Sequence, residues 1–343
     1  MGNDVRHLPE NTRKAICAFS GGLDSILAAA HTERLGIDVL LLHVQHLFSA
    51  DEEGRERIRR TAAELGLPLR IEDVSEEHLE TIRRPVHGYG RGMNPCVDCR
   101  IFMLKVAKRV MVEEGAGFVV TGEVLGQRPK SQQLPAMRQA AEESGLGDRL
   151  VRPLSGRLLP ESWPVKQGWI RAGDLLALQG RGRQEQMALA RQYGIEQYPQ
   201  PAGGCILVEK PYAARVRDAF DYLGRDAVGV TQFRLFRHGR HFRLSGDVKL
   251  IIGRDQAENE RLTALAGDRF RVEPIEAMGP TALIEGEPND QELDLCGALV
   301  ARYSDHVPGV PLRLRVVRGE KAKEIEVMPM SPDDPRMDAW RDG

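Results

Sequence analysis

Ala15-Ile16-Cys17-Ala18-Phe19 is a short apolar run that ends on Ser20-Gly21-Gly22-Leu23-Asp24-Ser25, and residues 24–35 then carry apolar side chains at helical spacing. The order is strand, tight glycine turn, helix. In an α/β sheet such a junction aims backbone N–H groups and the positive end of the helix dipole at one point, where an anion binds. The two glycines allow close backbone approach, the hydroxyls of Ser20 and Ser25 can donate to pyrophosphate oxygens, and Asp24 is placed to help hold Mg2+ or its water. The Walker pattern G-x-x-x-x-G-K-[ST] is absent from the chain, which argues against transfer or hydrolysis at a γ-phosphate.

Outward from this loop, residues 37–44 (IDVLLLHV) read as a buried strand, 52–65 as a charged amphipathic helix and 68–74 as a strand. Residues 100–114 read as a helix, 118–121 as a strand and 150–153 as a short strand. Alternating strands and helices imply a parallel sheet covered on both faces. Residues 1–155 are therefore expected to form one doubly wound α/β domain. Residues 156–210, rich in Pro, Gly, Trp and Gln, read as an extension carrying Cys205, with a helix at 184–193. Residues 211–331 are expected to form a smaller α+β module. It would contain a leading helix, a hairpin over 233–244 turning at His238-Gly239, a strand at 249–253, a helix at 256–265, strands near Phe270 and Thr281, a helix at 292–303 and a hairpin over 312–328. Residues 332–343 read as a polar tail.

The 343 residues allow two or three domains. With 29 % charged residues, no run of eighteen apolar ones and no basic-then-apolar leader, a cytoplasmic protein without a membrane partner is expected. Five cysteines are too few and too unevenly spaced for a disulfide framework, which points to metal or sulfur chemistry. A formal net charge of -2 gives no global attraction to nucleic acid, so RNA binding must come from local basic patches.

Asn94-Pro95-Cys96-Val97-Asp98-Cys99 opens a helix, so Cys96 and Cys99 lie one turn apart near its positive end, a placement that favours thiolates. Arg83, Arg84, His87, Arg91 and Arg100 would lower the thiol pKa values further or meet RNA phosphates. Cys205, on the glycine turn Pro201-Ala202-Gly203-Gly204, is the candidate third ligand. Three cysteinates suit a 4Fe-4S cluster with one iron open. Persulfide-forming cysteines, or a zinc ion with His87 as fourth ligand, are the alternatives. Cys17 and Cys296 sit in apolar patterns and read as core.

Within residues 228–254, Arg234, Arg237, Arg240, Arg243, Lys249 and Arg254 face a single acid, Asp247, with Phe233, Phe236 and Phe242 interleaved. That is either an RNA-facing surface or a hairpin with one solvated basic face and one aromatic core face.

The Ser20–Ser25 hexapeptide resembles the S-G-G-x-D-S hallmark of the PP-loop ATP pyrophosphatase superfamily, residue for residue. The resemblance implies ATP cleavage between the α- and β-phosphates, with AMP left on a substrate oxygen. It also implies adenosine near His43 and Val44 and near Thr121 and Gly122. Asn94-Pro95-Cys96-x-x-Cys99 resembles a stretch of tRNA 2-thiouridylases. Thr121-Gly122-Glu123-Val124-Leu125-Gly126-Gln127, with Ser131-Gln132, is similar to a motif of tRNA 4-thiouridine synthetases. Lys249-Leu250-Ile251-Ile252-Gly253-Arg254 and the six residues after it, with Gly279-Pro280, resemble the RNA-binding domain of NFACT proteins.

Together these resemblances imply an ATP-dependent tRNA sulfurtransferase in which Asp24, Cys96, Cys99 and Cys205 are catalytic and the three cysteines hold the cluster. A uridine carbonyl oxygen would be adenylated and replaced by sulfur. Expected partners are tRNA and a sulfur donor, either free sulfide or a cysteine desulfurase relay, with a homodimer as the candidate assembly. Two other readings stand beside it: a PP-loop amide-forming or sulfur-inserting enzyme acting on a small molecule, and an RNA-binding adaptor with a decayed ATP site.

Overall fold

The computed structural model describes residues 12–49, 52–129, 131–200 and 205–340. Its contacts divide the chain into two compact units, Met1–Cys205 and Ile206–Gly343.

The first unit is built on strands β1 (Lys14–Ala18), β2 (Asp38–Gln45), β3 (Leu69–Asp73), β4 (Phe118–Thr121) and β5 (Leu150–Val151). All pair in parallel, in the order β3-β2-β1-β4-β5. The connecting helices are α1 (Leu23–Arg34), α2 (Glu52–Glu64), α3 (Ser75–Arg83), α4 (Cys96–Glu113), α5 (Leu134–Glu143), α6 (Trp163–Lys166) and α7 (Gln184–Gln192). Side chains of β1 alternate between the faces. Ala15 and Cys17 join Ile26, Leu27 and Phe118 in one core, whereas Ile16 joins Leu42, Leu104 and Val119 in another. Both faces are thus covered, as expected of a doubly wound sheet. Ile170, Leu175, Leu178 and Ala190 from the segment after β5 enter the first of these cores.

The strand order reverses at β1, which has β2 on one side and β4 on the other. Open α/β sheets bind ligands at that switch point, beyond the carboxyl ends of the strands. The glycine loop stands there.

The second unit is a six-stranded antiparallel sheet in the order β11-β10-β8-β9-β7-β6. Its strands are β6 (Arg240–Arg243), β7 (Lys249–Ile252), β8 (Phe270–Pro274), β9 (Ala282–Glu285), β10 (Leu312–Arg318) and β11 (Lys321–Val327). Its helices are α8 (Lys210–Leu223), α9 (Val230–Leu235), α10 (Gln256–Ala264), α11 (Asp290–Arg302) and α12 (Arg336–Trp340). One face of the sheet packs on α11 through Leu293, Cys296, Leu299 and Val300. The stretch read as a polar tail carries α12, whose Met337 and Trp340 pack on that same core.

The hairpin expected over 233–244 is not formed. Phe233 lies in α9, and β6 pairs instead with β7, Arg243 opposite Lys249, so the chain reverses across residues 244–248. Phe233 and Phe236 are three residues apart, a helical spacing, and both are buried beside Tyr212 and Phe220 of α8. Gly239, at φ 76°, is needed for a close approach: a Cβ there would stand 2.7 Å from the Ile252 carbonyl oxygen.

That rearrangement brings an acid from α8 to the basic segment. Arg243 donates to both oxygens of Asp218, at 2.9 and 2.6 Å, and Lys249 ion-pairs with the same carboxylate. All three side chains are buried, Lys249 at 1 % exposure. Burial alone would raise the Asp218 carboxyl, but Arg243 and Lys249 together hold it below the usual aspartate range. Lys249 is itself lowered by burial, which outweighs Asp218, so the ammonium loses more on leaving water than this partner returns. The paired geometry nonetheless keeps Asp218 ionised. Replacing Asp218 by Asn would take this counterion from both cations and is expected to cost about 3 kcal/mol of stability at neutral pH. Because the folded carboxyl lies below its unfolded value, its contribution is complete above the ordinary aspartate range. It is lost as pH falls through the depressed folded value. Urea unfolding of both proteins from neutral to acid pH measures the gap and its disappearance.

Candidate active site

The phosphate loop is shaped by its own hydrogen bonds. The Phe19 N–H donates to the Leu42 carbonyl at 2.8 Å and carries the sheet one residue past β1. Gly21 takes φ 72°, and Gly22 caps α1 without a side-chain hydrogen bond. The first N–H groups of α1 therefore have no capping side chain and are available to an anion. Ser25 Oγ donates to the Gly22 carbonyl at 2.8 Å and lies 3.2 Å from Ser20 Oγ. Ser25 thus braces the loop, and Ser20 is the exposed hydroxyl.

Asp24 and Gly122 meet at the next layer. A Cβ on Gly122 would lie 2.4 Å from the Asp24 carbonyl oxygen and 2.6 Å from the Ser25 nitrogen, so only glycine lets the end of β4 reach the loop. The Asp24 carboxylate accepts from Gln127 Nε2 at 3.0 Å through Oδ2, while Oδ1 is buried without a hydrogen-bond partner among the described residues. A buried carboxylate oxygen left open in this way fits a site for Mg2+ or its water. His43 Nδ1 lies 3.0 Å from the Phe19 carbonyl, which can only accept, so Nδ1 carries the proton. Burial lowers the His43 pKa against hydrogen bonds to Phe19 and Gln45, and the ring is neutral. Val44 is buried in the core with Leu42. The Thr121 hydroxyl donates to Glu123 at 3.1 Å.

The cysteines open α4. Cys96 is its first residue and accepts from Asn94 Nδ2 at 3.0 Å. Cys99 Sγ lies 3.1 Å from His78 Nε2. His78 is fully buried in α3, and burial, with His46 beside it, holds its pKa down to about 3. The Cys99 thiol is pushed up by burial first, then by the nearby Cys205, Cys96 and Asp98. At Cys99 this corrects the expectation of a thiolate: desolvation outweighs the helix end. Three of the five expected cationic helpers are engaged elsewhere. Arg84 donates to Glu80 at 2.9 Å, Arg100 pairs with Glu123, and His87 Nε2 lies 2.9 Å from Glu143. The backbone N–H groups of Val86 and His87 are held by Asp98.

The same electrostatic coupling brings Cys205 into the neighbourhood of Cys99, with Cys205 exposed. The turn before it, residues 201–204, lies outside the described residues. Among the described residues no three His, Cys, Asp or Glu side chains close around a single metal ion. Cys17 and Cys296 are buried in the two units, with thiols pushed up to about 12 by burial. They are core residues, as their apolar contexts imply.

Gln127 and Glu123 belong to a motif quoted above but carried no assigned role there. His78 gave no sequence signal, being one histidine in a charged helix. In the second unit the six basic candidates separate. Arg243 and Lys249 are spent on Asp218, and Arg254 is paired with Glu258. The Arg240 guanidinium stacks 4.7 Å over the Tyr303 ring, Arg234 is exposed and Arg237 half-buried.

Residues 11–157 match the family model for thiamine biosynthesis protein (ThiI), and residues 239–341 match that for the NFACT protein RNA binding domain. The two matches fall on separate stretches of the chain, one on each side of residues 158–238. A probable tRNA sulfurtransferase of Methanothermobacter thermautotrophicus is 33 % identical over 156 residues, which are 43 % of this chain and 38 % of that protein. A tRNA-specific 2-thiouridylase MnmA of Syntrophotalea carbinolica is 31 % identical over 125 residues, 34 % of this chain and 36 % of that protein. The chain thus spans well under half the length of these curated relatives. Among solved structures, the U34-tRNA thiolase NcsA of Methanococcus maripaludis with its [4Fe-4S] cluster aligns over 68 % of this chain and 75 % of its own, at 19 % identity and a TM-score of 0.33. A 4-thiouridine synthetase–RNA complex with bound ATP aligns over 53 % and 51 %, at 19 % identity and a TM-score of 0.35.

The contact at Gly122 gives the phosphate-loop assignment a sharp test. Gly122→Ala has to push the loop backbone away from β4 and is expected to weaken ATP binding, because the loop N–H groups no longer converge on the phosphates. Gly173→Ala, where a Cβ meets open space, is the control and is expected to bind ATP as the parent does. Equilibrium dialysis with labelled ATP compares the two.

Proposed function

We propose that this chain is an ATP-dependent tRNA sulfurtransferase that adenylates a uridine carbonyl oxygen and exchanges that oxygen for sulfur. The observation that carries the reading is the presence, in one α/β unit, of two features. One is an S-G-G-L-D-S loop whose Asp24 keeps a buried open oxygen, and the other is Cys96, Cys99 and Cys205 near enough to act on one another's charge. The names of the relatives and the NFACT-type domain support tRNA as the substrate.

In this reading the loop N–H groups hold the ATP phosphates. The uridine oxygen attacks the α-phosphorus, a P–O bond forms, and the bond to the β-phosphate oxygen breaks to release pyrophosphate. AMP on the former carbonyl oxygen is then a good leaving group, displaced when a sulfur nucleophile attacks the same carbon. Asp24 holds Mg2+ or its water beside the departing pyrophosphate, with Gln127 fixing its orientation. Cys96, Cys99 and Cys205 would hold a 4Fe-4S cluster, and the chemistry it would supply is the binding of sulfide at iron. Free sulfide, or a desulfurase relay whose persulfide sulfur is reduced to sulfide by external thiols that become a disulfide, would replenish that sulfur. Neutral, buried His78 orients Cys99. No helix among the described residues is long and apolar enough to cross a membrane, and a cytoplasmic location suits the substrate.

Asp24→Ala is expected to abolish tRNA-dependent pyrophosphate release while leaving the fold and tRNA affinity intact, because it empties the anion site and not the core. Normal release by the purified variant would sink the ATP assignment. Anaerobically purified protein is expected to show broad iron–sulfur absorption with about four irons per chain, bleached by alanine at Cys96, Cys99 or Cys205 and untouched by Cys17→Ala. A colourless parent protein binding one zinc ion would overturn the cluster while leaving the adenylation chemistry standing.

A further inference from the structure

Glu123 is a buried carboxylate that the proposed chemistry does not use. It is 1 % exposed and directly follows Gly122, the residue in contact with the phosphate loop. Arg152, at the end of β5, donates its Nε to Glu123 Oε2 at 2.8 Å and its other nitrogen to the Met137 carbonyl of α5 at 2.9 Å. Arg100, one residue past Cys99 on α4, ion-pairs with the second carboxylate oxygen. Burial would raise Glu123, yet the two arginines hold it down to about 2, so it is ionised at any working pH.

Such a triad is poorly explained as a source of stability, since ions taken out of water regain little more than they lose and apolar side chains would fill the space as well. Its arrangement suggests another use. Helix α1, which begins at the phosphate loop, lies on one face of the sheet, and α4, which begins at the cysteines, lies on the other. The sheet separates the two helices, so their N-terminal ends can be held in register only around its carboxyl edge. The segment after β4 does this at three points: Gly122 against the Asp24 backbone, Gln127 on the Asp24 carboxylate, and Glu123 on Arg100.

We propose that Glu123 is a positioning residue that couples the phosphate loop to the cysteine pair, fixing the start of α4 through Arg100 so that sulfur is delivered where the adenylated base is held. The inference rests on the sulfurtransferase reading for its catalytic consequence, but not for its structural one. Glu123→Gln keeps the shape and removes the charge. In this variant pyrophosphate release is expected to persist while thiouridine formation falls by about a hundredfold, the scale of a small misplacement at a reacting centre. The ratio of pyrophosphate released to thiouridine formed then rises accordingly. A merely structural role would lower both partial reactions together and leave their ratio unchanged. Arg100→Gln is expected to raise the same ratio, and the double variant to raise it no further than either single change.

A second readout needs no activity. Iodoacetamide labelling of Cys99, followed by mass spectrometry on the metal-free protein, is expected to run at least about tenfold faster in Glu123→Gln, because local opening of the α4 start is less costly once its anchor is lost. An unaltered product ratio with unaltered Cys99 labelling overturns the coupling role. If the parent protein releases no pyrophosphate with tRNA, the functional reading fails and the labelling arm alone decides: faster labelling supports the anchor, equal labelling removes it.

Discussion

Everything at the candidate site depends on backbone N–H groups at the start of α1 being left for a ligand to satisfy. Buried donors without partners are costly, so a chain can keep them only where water or an anion reaches them. Here the loop meets that demand by satisfying itself from one side. Ser25 ties its hydroxyl to Gly22, Gly21 turns through the left-handed region, and no side chain caps the helix. The remaining polar capacity points to the one place where β2 and β4 diverge from β1. A side chain on Gly122 would destroy the arrangement by distance alone, without touching any ligand.

Much of this unit was legible in its sequence because strands buried on both faces read as unbroken apolar runs. Residues 37–44 and 118–121 declare themselves in that way, and the Ser20–Ser25 loop is legible because its chemistry needs those residues in that order. Helices α3 and α5 were not, since α3 buries only His78, Leu79 and Ile82 and α5 only Met137, Ala140 and Ala141, too few to stand out from their charged neighbours. The misread hairpin has a different cause. Phe233, Arg234 and Leu235 alternate, but Phe236 breaks the alternation and suits helical spacing, and α8 supplies Tyr212 and Phe220 as the surface to pack against. Asp218 was invisible as the counterion of Arg243 and Lys249 for the same reason: it lies 25 and 31 residues away in the chain.

Pairings at the site were the least legible feature. Gln127 on Asp24, His78 on Cys99 and Glu123 on Arg100 each join residues from different elements, and nothing local to either partner announces the contact. Charge counting along the sequence misleads in the same way. Arginines near the cysteines look available in the sequence, whereas Arg84 and Arg100 are already held by Glu80 and Glu123. Six cations against Asp247 look like a surface for phosphates until Asp218 and Glu258 take three of them.

The cysteines show how magnitudes decide between two correct principles. A helix N-terminus favours a thiolate, but its field is worth about 0.3–1 kcal/mol for a group near the surface. Burial acts on the same ionisation with shifts of up to several pKa units, each about 1.4 kcal/mol. At Cys99 burial is the larger effect, and two neighbouring cysteines add to it because each anion would repel the next. The Cys99 thiol is therefore held up while no cation is beside it, and the neutral imidazole of His78 offers a hydrogen bond but no charge. The proposed iron centre would reverse that balance, since one metal-bound thiolate would no longer have to repel another unaided. On the cluster proposal, the sulfur of Cys99 is quiet by itself, and the charge that would make it reactive has to arrive with what it binds.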